Sequence, residues 1–139
     1  MARGSALALM QAVVYSTLHG DATLLALAPV INDVNEDQAF PYVFISNATE
    51  VPWHTMGGTA SGYGWNATLA VHILSRYSGD LEALNILSRV STLLNFATLT
   101  VTGYATVVCE SEDVKLLVEY PNKVEQRHVI ARYRLRVHE

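Results

Sequence analysis

At 139 residues, 50% of them hydrophobic and 16% charged, the chain is long enough for one domain with its own core, and it carries fewer charges than the ~25% usual for soluble domains. Its net charge of −4 leaves out the overall basicity that drives non-specific binding to nucleic acid. The single cysteine, Cys109, excludes an intrachain disulfide, and no apolar run approaches the ~18 residues of a membrane span.

The opening segment "MARGSALALMQAVVYSTLHGDA" has the outline of a secretory signal, but Gln11, Tyr15, Ser16 and Thr17 interrupt it. Leu7, Met10, Val14 and Leu18 share one helical stripe, which predicts an amphipathic helix kept in the mature protein. Gly20 is expected to close that helix with a positive φ, and Asp21 to cap the short turn "ATLLALA", which Pro29 ends. In "FPYVFIS", Pro41 opens an extended segment and residues 42–45 are aromatic or β-branched, so a strand is expected. Residues 51–64, "VPWHTMGGTASGYG", carry four glycines and predict a mobile loop or hairpin tip.

Beyond it "WNATLAVHIL" alternates, with Leu69, Val71 and Ile73 on one face and Thr68, Ala70 and His72 on the other, as in a strand with one face on a core. The corner "SRYSGDLEA" then leads into a helix to about Asn95. Ser78 or Asp80 is the expected cap, and Leu81, Leu84, Leu87, Val90 and Leu94 the expected apolar face. "TLTVTGYATVVCES", "VKLLVEY" and "RHVIARYRLRV" read as three strands. The sum is an α+β fold, a mostly antiparallel sheet with two main helices packed on it, in a single domain over residues 1–139.

The corner lacks the glycines and lysine of a phosphate loop, and Asp80 stands where an anion would sit, so it reads as a capped joint. The five histidines form no close pair of the kind that holds zinc, and no metal or other cofactor is expected. No G-x-S-x-G elbow is present. Cys109 with a distant histidine could meet only in the fold, and Glu110 with Glu112 could share a strand face beside a turn. The patterns at Asn47 and Asn66 match glycosylation acceptors with no secretion signal behind them. None of these marks an enzyme. Arg132, Arg134 and Arg136 alternate with Tyr133, Leu135 and Val137, giving the last strand one guanidinium face. That face suits solvent, carboxylates of a neighbouring subunit, or DNA phosphate.

In order, "LMQAVVYSTLHGDATLLAL", "VINDVNEDQAFPYVFIS", "ATLAVHILSRYSGDLEALNILSRVSTLL" and "RHVIARYRLRV" resemble the tail completion or tail terminator family of long-tailed phages and phage-like particles. The "GDA" after the first helix, the approach to "FPYV", and "H-x-x-SRY-x-G-x-x-EAL" carry the likeness, which lapses over residues 52–64 and 120–126. The resemblance implies a non-catalytic virion protein with helices on a mostly antiparallel sheet. It implies a homohexameric ring, assembled in the host cytoplasm, that closes the head-proximal end of the tail tube and docks on the head connector or head-closure protein. DNA would pass through its lumen without specific binding. The bottom-up pattern supplies candidate contact residues: Trp53, His54, Met56 and Trp65 around the glycine-rich segment, and Arg132, Arg134 and Arg136 at subunit contacts or against another neck protein. The strand ending at Val137 is a candidate border strand for the next subunit. The rival readings are a head-closure or tail-tube subunit and, from another class, a small Cys/His hydrolase or ligand-binding domain.

Overall fold

The alternation in "WNATLAVHIL" and "RHVIARYRLRV" decides the architecture, because two strands of the same period pair along their whole length and bury one common face. In the computed structural model, which describes residues 5–31, 38–54 and 63–138, these segments are β3 (Tyr63–Ser75) and β5 (Gln126–His138). They run antiparallel in unbroken register from Gly64 opposite His138 to Ser75 opposite Arg127. Around them lie β1 (Val30–Ile31), β2 (Tyr42–His54) and β4 (Ala105–Glu119), giving the sheet order β1-β2-β3-β5-β4. Among the described residues only the short β1–β2 pair is parallel. The fold is α+β.

The helices α1 (Leu7–His19), α2 (Ala22–Leu27) and α3 (Leu81–Leu94) cover one face. Met10, Val14 and Leu18 of α1 and Ala83, Ile86, Val90 and Leu94 of α3 meet Leu69, Val71, Ile73, Val129, Ala131 and Leu135 in a single core. Each large aliphatic side chain so buried contributes roughly 1.5–3 kcal/mol. The stripe expected on α1 is observed, but that on α3 is turned: Val90 and Leu94 are buried, while Leu81 and Leu84 face outward. Ala83 and Ile86 take the sheet side. The Tyr133 hydroxyl and Ser91 Oγ, 2.7 Å apart, tie α3 to β5.

Three other expectations are corrected. At the ends of the segment 51–64, residues 51–54 and 63–64 are strand, with β2 and β3 paired as far as His54 opposite Tyr63; residues 55–62, with Met56 among them, lie outside the described residues. "TLTV" is irregular with Leu99 and Val101 buried, and the remainder of the two expected strands is one strand of 15 residues. Residues 110–113 contain no glycine, proline or asparagine to turn the chain, so the acidic stretch is taken up as a bulge between Ser111 and Asp113. The strand ending at Val137 is therefore internal, and β4 is the border.

Gly20 has φ −81°, not a positive value. A Cβ there would stand 2.9 Å from the Ser16 carbonyl oxygen, so the glycine answers a close approach. Asp21 caps α2, accepting from the Leu24 N–H at 2.8 Å, and also takes both Nε and Nη2 of Arg89 at 2.8 Å. The Arg89 guanidinium, with the Leu24 N–H adding to it, holds the Asp21 carboxyl below the usual carboxylate range. Gly20→Ala sets an overpacking cost of roughly 1–3 kcal/mol against an unfolded-state gain of about 0.4–1. Urea unfolding should show a net loss of about 1 kcal/mol.

Candidate functional site

The corner between β3 and α3 is a joint, as its composition implies. Gly79 has φ +117°, a conformation that glycine adopts without strain. Asp80 occupies the position before α3 without a side-chain capping bond. Its carboxylate instead accepts from Arg127 Nε at 2.6 Å on β5, and Arg127 also pairs with Glu125. Ser75 Oγ donates to Glu82 at 2.7 Å and accepts from the Tyr77 N–H at 3.1 Å, while the Arg76 guanidinium lies 4.1 Å from the centre of the Phe40 ring. The polar groups of the corner are spent on holding β3, α3 and β5 together.

The face of the sheet away from the helices carries the arginine row. Arg132 is bidentate to Asp113, both bonds 2.7 Å, and Arg134 Nη2 donates to Glu110 at 2.5 Å. Arg136 stands opposite Asn66 and is exposed. The bulge shifts the phase of β4 by one residue, so Asp113 and not Glu112 meets Arg132. Strict alternation points to the wrong acid. An open groove of about 510 Å³ runs beside this pair, lined by Thr68, Ala70, Glu112, Lys115 and Ile130 among others. Of the other expected contact residues, Trp65 is half-buried against the core. Trp53 and His54 are placed on β2 by their backbone.

On the same face a hydrogen-bonded chain crosses three strands. His72 Nδ1 and His128 Nε2 are 2.8 Å apart, and His128 Nδ1 lies 3.1 Å from Glu119 Oε1, which also accepts from Gln126 at 3.3 Å. His128 thus lies between the Glu119 carboxylate and His72, and the tautomer decides which imidazole nitrogen donates in each contact. The His72 ring stacks on Phe44, centroids 4.6 Å apart. No group of three or more metal-ligating side chains is gathered among the described residues.

Cys109 is fully buried, and burial, with Glu110 next to it, pushes its thiol up to about 12. A thiol so placed is uncharged at neutral pH and is packed as an apolar side chain.

Burial, with His128 adding to it, holds the His72 imidazole down at about 4, against an ordinary 6.5. The unfolded ring takes its proton first, so this contribution is complete above pH 6.5 and fades as the pH falls toward 4. Between pH 7 and 4.5 the loss is about 2 kcal/mol. His72→Gln should flatten the acid limb of stability by that amount in urea titrations at the two pH values.

No curated protein matches the chain significantly. Among solved structures, a chain from the virion of a native gene transfer agent particle superposes with a TM-score of 0.79 at 22% identity, covering 98% of this chain and 100% of that one. That likeness establishes the shared fold. No helix among the described residues is long and apolar enough to cross a membrane. The profile of the tail completion protein gp17 family matches residues 12–138, a span that includes the α2 cap, the β3–α3 joint and the arginine row. The chain belongs to the tail completion protein gp17 family, and is a structural tail protein of a phage-like virion.

Proposed function

We propose that the protein forms a homohexameric ring that terminates the tail tube at its head-proximal end, docks on the head connector or head-closure protein, and leaves a channel for DNA. The family match over residues 12–138 carries this reading. The physical chemistry of the chain supports it. A domain with 16% charged residues suits a subunit that buries much of its surface, and a heterologous contact repeated around a closed rotation gives a ring. Six copies would together carry about −24, which favours free passage of a polyanion. The arginine row does not undo this, because Asp113 and Glu110 neutralise Arg132 and Arg134 within the chain.

Trp53, His54, Met56 and Trp65, on and around the β2–β3 arm, are proposed to contact the tube or the connector. Arg132, Arg134 and Arg136 are proposed to face a neighbouring subunit. Glu110 engages only Nη2 of Arg134, so that guanidinium keeps donors for a second acceptor. The hydrolase alternative would need Cys109 as a thiolate, and its burial opposes that.

Purified protein is expected to give a single ring by native mass measurement and negative-stain imaging. Growth into long tubes would instead mark a tube subunit, and a monomer at every concentration would defeat the proposal. Arg134→Gln should weaken ring formation with an unchanged far-UV spectrum; undisturbed rings would remove that arginine from the subunit contact. Cys109→Ala should still complete tails in a complementation assay.

A further inference from the structure

Among the described residues, two uncovered apolar patches lie toward the end of the sheet where β3 ends and β5 begins. The first is the second half of β4. Val114 and Leu116 stand opposite Ala131 and Val129, which are fully buried, yet both are exposed, as is Val118 at 47%. The helix layer stops short of this stretch. Residues 113–119 also have no strand partner on their outward side among the described residues. Leu117 is exposed on the other face of the strand.

The second patch is a groove of about 330 Å³ between α2 and α3, where Leu27, Tyr77 and Leu81 are exposed and Glu82 lies on the rim. One patch is a protruding border and the other a concavity. Each carries a charge of the sign the other lacks: Lys123, just beyond the strand, makes no salt bridge among the described residues, and the Glu82 carboxylate takes the Ser75 hydroxyl. The far border of the sheet is unsuited to receive β4. It ends in the two-residue β1, Pro52 removes an N–H, and Glu50 is turned onto the start of α1.

We infer that the occupant of the β4 border is a second copy of this chain, whose α2–α3 groove receives Leu116 and Val118 while Lys123 approaches its Glu82. Each copy then gives one patch and accepts one, so the contact is heterologous and closes only as a ring. The inference rests on the proposed ring and names the surfaces that build it.

Leu116→Glu removes the strand patch and Leu81→Glu the groove, both at exposed positions where the fold tolerates charge. Each variant, checked as folded by circular dichroism, should be monomeric, with self-association weakened at least about 30-fold. Mixed, they should form a 1:1 dimer and nothing larger, since one intact strand meets one intact groove. Normal rings from either variant, including rings that then fail to join tails, would overturn the inference and leave the ring itself standing. Dimerisation of Leu81→Glu alone would also overturn it, by showing that β4 pairs with its own copy. A wild-type chain that never self-associates would defeat both the inference and the ring.

Discussion

The pairing of β3 with β5 is the constraint on which the rest of the molecule depends. Its register runs without a bulge from Gly64 opposite His138 to Ser75 opposite Arg127, while the pairings on both sides, β2 with β3 and β4 with β5, contain irregularities. A sheet side chain belongs to one face or the other by parity alone. Uninterrupted parity along this pair therefore fixes Val71, Ile73, Val129 and Leu135 beneath the helices and His72, His128, Arg132 and Arg134 on the opposite face. The core and the polar face are two results of one register.

The bulges of β2 and β4 can be tolerated because they lie on the flanks of that spine. In β4 the extra residue lets Asp113 reach Arg132 while Glu110 keeps Arg134, so two bulky guanidiniums are held side by side by carboxylates on one neighbouring strand. Exposed ion pairs of this kind add little to stability. Their larger effect is on the field of the face, which presents paired charges and not a bare row of cations.

Much of this was legible before any coordinates. Period-two runs marked β3 and β5, the Met10, Val14 and Leu18 spacing marked α1, and the Gly79–Asp80 corner read correctly as a joint. What escaped was set by tertiary partners. Leu81 and Leu84 look like core residues on a helical wheel, but Ala83 and Ile86 take the sheet side, and the direction from which the sheet meets α3 is a property of the fold, not of the helix's own sequence. The acidic stretch in β4 looks like a turn until Arg132 and Arg134 are seen to hold it extended. Gly20 carries a turn residue's signature and is required by a carbonyl instead. His72 and His128 lie 56 residues apart, and no local pattern announces that two strands will bring them together.

The start of α1 shows the same dependence on distant sequence. The residue before the helix, Ala6, has no capping side chain, and its N–H is satisfied by the Glu50 carboxylate at 3.1 Å, 44 residues away; Ser5 Oγ bonds the same carboxylate at 2.8 Å. A helix of 13 residues is marginal by itself in water. During synthesis this segment leaves the ribosome before the strand that secures it. A segment made earlier is thus conditional on one made later, and its helical form is a product of the finished fold, not a seed for it.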